Sequence, residues 1–311
     1  MGERDWIAKY FRPLALTPGA DALTDDVALL TGSGDGLIVT ADALVEGVHF
    51  LASDPIESVA RKLVRSNVSD ILSKGGHPHE AVLTFAWPKT RGEADIARFA
   101  GALGAELEAW GAQLIGGDTT GSLAGLFLSL TLTGVCGPRG PVRRSGARAG
   151  DSLWVTGEIG AACRGFRALQ AGQKDDLFVS AYREPRLAPL AVTGLIQDHA
   201  TASMDVSDGL LGDARMLAAA SGLAVEVDLG AVPYAGGART LEERIELATW
   251  GDDYQVLFAA PATSAAMVAS EAAEKGIQIA RIGSFSEGSG LRGILTGNVV
   301  NLPETLGFEH D

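Results

Sequence analysis

LFLSLTLTGVCGPRGPVRRSGARAGDSLWVTG, residues 126–157, divides the chain. Its first ten residues set apolar positions in alternation with Ser129, Thr131 and Thr133, the period of a strand with one buried face. Its last six residues, SLWVTG, read as a second strand. Between them, residues 137–151 are dense in Gly, Pro and Arg and poor in apolar side chains, which marks a connection between two structural units. The expectation is two domains, 1–138 and 139–311, and a chain of 311 residues is long enough for both.

Outward from that connection, both halves mix strands and helices. Upstream, residues 3–11 suggest a short amphipathic helix, and GLIVTADAL from Gly36 reads as a buried strand ending at Asp42. Residues 57–74 place Val59, Leu63, Val64, Val68, Ile71 and Leu72 at helical spacing, with Asp70 inside the pattern. AVLTFAWP from Ala81 is a strand stopped by Pro88, residues 91–110 form a helix, and GAQLIGGD is a short strand entering a glycine turn. Downstream, helices are expected near 160–171, 186–198, 209–220 and 263–275, with strands at AVEVDL, YQVLFAA and IQIARIGSF. The fold class is therefore α/β or α+β. NVSDIL at 67–72 and DVSDGL at 205–210 are alike, and each is followed by a Gly-Asp turn. Two halves of related design and chance both account for that.

Apolar residues make up 46% and charged residues 21%, a composition that can bury a large core. The net charge of −14 argues against nucleic acid as a partner, since such binders present a basic face. Cys136 and Cys163 have no metal or redox spacing, which fits a reducing compartment. The N-terminal MGERDWIAKYF has no signal-peptide core, and no stretch approaches the roughly 20 apolar residues of a membrane helix. A cytoplasmic protein without membrane contact is expected.

Chemistry concentrates in nine aspartates: Asp25, Asp26, Asp42, Asp70, Asp118, Asp205, Asp208, Asp252 and Asp253. They fall in short segments that mostly follow apolar runs, where a carboxylate needs a partner or a cation. Hard divalent cations take oxygen ligands and accompany phosphates. Gly116-Gly117-Asp118-Thr119-Thr120 suits phosphate contact through backbone N–H groups and metal contact through Asp118, although a plain turn fits it equally. Asp205, Ser207 and Asp208 precede a helix and serve either as caps or as ligands. Taken alone, Asp25 and Asp26 read as an exposed loop pair. Arg143 and Arg144 read as a solvated cluster or as phosphate forks, and His77-Pro78-His79 as an exposed turn. No P-loop, HRD, DFG, HExxH or GxSxG signature occurs.

In order, Thr24-Asp25-Asp26-Val27-Ala28, Thr40 to Phe50, Asn67-Val68-Ser69-Asp70, Gly116 to Thr120, Arg144-Ser145-Gly146, Asp205 to Leu210 and Gly251-Asp252-Asp253-Tyr254 resemble the thiamine-monophosphate kinase family. That family lies within the aminoimidazole-ribonucleotide synthetase-like superfamily. The resemblance runs from about Phe11 to Phe308. It implies a two-domain PurM-like fold, α/β then α+β, with N-terminal domains pairing into a shared barrel in a homodimer. It also implies direct transfer of the ATP γ-phosphoryl to thiamine monophosphate with several Mg²⁺ ions. By motif, Asp26, Thr40, Asp42, Asp70, Asp118, Asp205 and Asp208 would bind metal, with Asp42, Asp118 and Asp208 central to catalysis. Gly117, Asp118, Arg144 and Ser207 would meet ATP, and His49, Asp252 and Phe308 the thiamine phosphate. A related ATP-using synthetase and a non-catalytic nucleotide-binding module are the competing readings. The chain departs from the family pattern at Leu23-Thr24, Ala41, Ser73-Lys74 and Asp252, the last being shorter than the usual glutamate.

Overall fold

The helical spacing between 57 and 74 becomes α1 (Ile56–Ser73), and the fold is arranged around it. The computed structural model describes residues 7–15, 17–30, 36–173 and 176–308. All six apolar positions named from the spacing are buried, and so are Lys62, Ser66, Asn67, Ser69 and Ser73. A helix buried on nearly every side needs neighbours all round. Here it packs on β2 (Leu37–Val45), β3 (Gly76–Pro88) and β5 (Phe127–Cys136) on one side, and on β7 (Ala202–Val206) and β9 (Gln255–Pro261) on the other.

The first sheet has five strands in the order β1-β2-β5-β3-β4, with β1 at Ala28–Leu29 and β4 at Gln113–Ser122. Only β3 and β4 are parallel, joined by α2 (Glu93–Ala109). The α/β character expected of this half is thus confined to one β-α-β unit. In β5 the alternation is as expected: Leu128, Leu130 and Leu132 are buried against α1, while Ser129, Thr131 and Thr133 point the other way. That other face is open, and it exposes Val82 and Phe127. The sheet does not close into a barrel, because β1 and β4 remain its edges.

The second sheet has seven strands in the order β12-β11-β8-β10-β6-β9-β7. Its remaining members are β6 (Asp151–Thr156), β8 (Leu223–Asp228), β10 (Ile279–Glu287), β11 (Gly290–Leu295) and β12 (Asn298–Val300). Neighbours are antiparallel except β11 with β8. β6, β7 and β9 are buried almost throughout. One of their faces joins the core around α1, where Trp154 stacks on Phe258 with ring centroids 6.3 Å apart. The opposite face meets α6 (Leu210–Ala220), α7 (Leu241–Thr249) and α3 (Ala161–Gln170). The other helices are α4 (Val179–Arg183), α5 (Val192–His199) and α8 (Ala265–Glu274). No helix among the described residues is long and apolar enough to cross a membrane.

Several expectations change. β2 runs three residues past Asp42 instead of ending there. GGDTT lies within β4 and is not a turn, because pairing with β3 continues through Ser122. His77-Pro78-His79 opens β3, and an irregularity in register between Pro78 and Ala81 accommodates the residue that lacks an N–H. The matching VSD segments are not equivalent, since Asp70 is on a helix while its counterpart Asp208 lies in the turn after a strand. The expected helix at 3–11 is a single turn, Ile7–Phe11, and its first residues lie outside the described ones. The segments that form α4, α7, β11 and β12 carried no expectation.

Candidate active site

A cleft of about 800 Å³ opens where α1 and the two sheets meet. Asp42, Asp70, Asp205 and Asp208 line it together with Ser207, His49, Asp252 and Phe308. Residues from positions 42 to 308 thus converge on one hollow.

Each carboxylate is aimed by its element. On β2, alternation places Thr40 and Asp42 on the face turned to α1, together with Ile38 and Leu44. Ala41 points to the open face. The Asp42 N–H donates to Asn67 Oδ1 at 3.1 Å, which ties the strand to α1. Thr40 Oγ1 donates to Asp70 Oδ2. From the same helix, Ser69 Oγ donates to Asp205 Oδ2 at 2.8 Å. Asp205 is near the end of β7, and Asp208 follows in the turn before α6. That turn needs Gly209 at φ 137°, where an added Cβ would meet Thr249 O at 2.8 Å.

Carboxylate oxygens of Asp26, Asp70 and Asp205 all lie within 4.8 Å of one another. Burial, followed by the neighbouring charges, makes that crowding costly. It pushes Asp42 up to about 6 and Asp205 up to about 7. Asp70 rises well above the usual carboxylate range, again from burial first and then from Asp42, Asp205 and Asp26. No lysine or arginine among the described residues forms an ion pair with Asp42, Asp70 or Asp205. Clustered hard oxygen donors of this kind suit Mg²⁺, whose charge would remove the repulsion.

Asp25 and Asp26 are not an exposed pair. Their side chains are 1% and 0% exposed. Arg144 Nε donates to Asp26 Oδ1 at 2.7 Å, and Arg143 reaches Asp25 Oδ2 at 3.5 Å. The arginines are therefore bound to the edge of the carboxylate cluster, not solvated. Although burial works the other way, Arg144 and Lys74 together hold the Asp26 pKa below its usual value.

Behind the cleft lining, Lys62 is 1% exposed and joins two of the expected substrate contacts. Its Nζ donates to His49 O at 2.9 Å and to Asp252 Oδ2 at 2.7 Å, and lies 4.7 Å from the Tyr182 ring centroid. His49 Nδ1 accepts from the Val45 N–H at 3.0 Å, so a neutral ring carries its proton on Nε2. Asp252 adopts φ 68° while its N–H donates to Ser207 O at 2.8 Å. Such left-handed backbone is tolerated by aspartate and is typical of functional turns. Phe308 is half exposed and is anchored by its N–H to Asp208 O at 2.8 Å. The neighbouring Asp253 is a cap: its Oδ2 accepts the Gly160 N–H at 2.7 Å at the start of α3, and burial pushes it up to about 8.

Gly117 and Asp118 are not brought to this cleft. Cross-strand register puts Asp118 beside Thr84 and, beyond it, Ser129 and Ala43, all on the open face. β4 is three strand spacings from β2, about 14 Å. Sequence reasoning also missed Lys62, Lys74 and Asp213. Asp213 is buried, accepts the Gly209 N–H at 3.1 Å and has its pKa raised by burial. A signal for the lysines existed: Lys62, Ser66, Asp70 and Lys74 repeat every four residues, a polar row along one line of the helix that contains a site aspartate.

Similarity to known proteins extends over nearly the whole chain. The family described as AIR synthase related protein, N-terminal domain, matches residues 24–136, and the corresponding C-terminal domain matches residues 148–296. The chain is 37% identical to thiamine-monophosphate kinase of Caulobacter vibrioides, over 99% of this chain and 90% of that protein. It is 32% identical to thiamine-monophosphate kinase of Aquifex aeolicus, over 86% and 87% respectively. Among solved structures, AaThiL complexed with AMPPCP and TMP superposes with a TM-score of 0.86 at 28% identity, covering 100% of this chain and 97% of that one.

Proposed function

We propose that this chain, which belongs to the thiamine-monophosphate kinase family of AIR synthase related proteins, transfers the γ-phosphoryl of ATP to thiamine monophosphate, yielding thiamine diphosphate and ADP. The observation that carries the reading is the single cleft lined both by Asp42, Asp70, Asp205 and Asp208 and by His49, Asp252 and Phe308. Phosphoryl transfer asks mainly for positioning and charge neutralisation. Mg²⁺, when bound, supplies the positive charge that lets polyphosphate approach an acidic site. Asp42, Asp70, Asp205 and Asp208 would hold it, with Thr40 and Ser69 fixing the orientation of Asp70 and Asp205. Ser207 offers a hydroxyl to ATP phosphates, and Arg144, whose Nε and Nη2 hold Asp26, the N–H groups of its remaining Nη1. His49 is suited to the acceptor phosphate, with Lys62 beneath it holding His49 and Asp252 in place. Phe308 gives an apolar ring for the thiamine heterocycles.

The working unit we propose is a homodimer, with domains at 1–138 and 139–311. The open face of the first sheet exposes Val82 and Phe127, apolar surface that a partner would cover. Asp118 lies on that side, remote from its own cleft. Pairing through it, as we propose, would bring the partner's Asp118 to the face of β2 that carries Ala41 and Ala43, the strand that also holds Asp42. Mixing Asp118→Asn with Asp42→Asn protein tests this: each is inactive alone, and heterodimers regain one intact site, about a quarter of wild-type activity. Absence of recovery in demonstrated heterodimers removes the shared site.

The activity itself is tested by thiamine diphosphate formation from ATP and thiamine monophosphate, with Mg²⁺ and with EDTA. Turnover only with Mg²⁺ is expected. No turnover on thiamine monophosphate, alongside turnover on another phosphate acceptor, would overturn the substrate assignment.

A further inference from the structure

Lys74 places a fixed positive charge inside the carboxylate cluster. It follows α1 as its C-terminal cap and is 0% exposed. Its Nζ is 2.6 Å from Asp25 Oδ1 and 2.6 Å from Ser203 O, and it contacts Asp26 Oδ2. An ammonium has three N–H donors and no acceptor. Two carboxylates and one carbonyl surround it, in a cage built by the loop before β1, the end of α1 and β7, with the hydrogen bond going to Ser203 O. The remaining Asp26 oxygen is taken by Arg144. Yet the Asp26 carboxylate still lies within 4.8 Å, oxygen to oxygen, of Asp70 and Asp205. The caged ammonium thus adjoins the oxygens proposed for divalent ions.

We propose that Lys74 is a resident cation of the active site, holding the Asp25–Asp26 end of the cluster in place of a divalent ion. The metals are then confined to Asp42, Asp70, Asp205 and Asp208. Occupancy by both is disfavoured, because the ion and the ammonium would share one carboxylate oxygen. Mg²⁺ on Asp26 Oδ2 would stand about 2 Å from an oxygen already in contact with an ammonium, and the two cations would repel at close range. Displacing Lys74 would leave an unpaired ammonium with no route to solvent, a costly state. Lysine supplies its charge at every metal concentration, so this end of the site stays neutralised when Mg²⁺ is scarce. The inference rests on the reading that the remaining carboxylates bind divalent ions.

The decisive experiment is anomalous diffraction from wild-type crystals grown with Mn²⁺ and a non-hydrolysable ATP analogue. Manganese is expected on Asp70 and Asp205, none on Asp26 Oδ2, and Lys74 Nζ unmoved. Manganese on Asp26 with Lys74 displaced overturns the resident-cation role and leaves ion binding intact. No manganese anywhere in the cluster overturns both readings. In equilibrium dialysis, Lys74→Met should bind about one more Mn²⁺ per chain than wild type, as an ion takes the vacated place. Equal counts in folded Lys74→Met and wild type also overturn it. Should Lys74→Met fail to fold, the wild-type diffraction result decides alone.

Discussion

Asp205→Asn should stabilise the metal-free protein while abolishing its proposed catalysis. Asp205 is 3% exposed, and burial with the Asp26 charge raises its pKa from 3.8 to about 7. A raised carboxylate pKa means that the folded state binds the proton more tightly than the unfolded state. Stability is therefore lost as pH climbs from about 4 to about 7, and the full cost is present above that. Three units correspond to about 4 kcal/mol. Neighbouring carboxylates share part of the cost, so a measured gain of about 2–4 kcal/mol is expected for asparagine at about pH 8. Asparagine can still accept the hydrogen bond from Ser69, so the geometry is kept. For a chain of this size the gain corresponds to a metal-free Tm higher by about 4–8 °C. At about pH 5 wild-type Asp205 is largely protonated, and the advantage falls below about 2 kcal/mol. Mg²⁺ should raise the wild-type Tm at about pH 8 and raise that of Asp205→Asn much less. Thermal unfolding in EDTA and in Mg²⁺ at the two pH values reads all of this, alongside turnover. A metal-free Tm of Asp205→Asn at or below wild type at the higher pH would refute the reasoning, because the cluster would then not be strained by its own charge.

Lys62→Met removes the bridge between His49 and Asp252, so KM for the phosphate acceptor should rise about tenfold or more with ATP KM little changed. Steady-state kinetics with each substrate varied checks this, and equal effects on both would argue against a local role. Leu63→Ala cuts into the helix at the centre of the fold, where Leu63 is 0% exposed, and should cost about 2–5 kcal/mol in denaturant unfolding. Gly209→Ala forces a Cβ against Thr249 O and requires φ 137° of a non-glycine residue, so it should lower both stability and turnover by moving Asp208. A kinetic profile like that of wild type for Gly209→Ala would mean that the turn tolerates the shift.

The sequence by itself determined the local patterns and the chemical inventory. The six apolar positions of α1 and the alternation of β5 were legible because helix and strand periods are properties of neighbouring residues. So were the carboxylates, because a buried core would otherwise reject them, whereas His49, Asp252 and Phe308 were assigned to the substrate only through the family resemblance. Tertiary structure alone decided which of them share a space. It put Asp42, Asp70 and Asp205 in one buried cluster from a strand, a helix and a second sheet, and it sent Asp118 to the opposite face of the first sheet. It also turned Asp25, Asp26, Arg143 and Arg144 from a loop and a linker into a buried ion network. Lys62 and Lys74 were visible as letters but not as cations of the site, because a lysine between apolar helix positions reads as solvated until both sides of the helix are known to be covered. Pairing across β2, β5, β3 and β4 and the sandwiching of α1 between two sheets depend on contacts far apart in the chain. No periodicity within a short window encodes such distances.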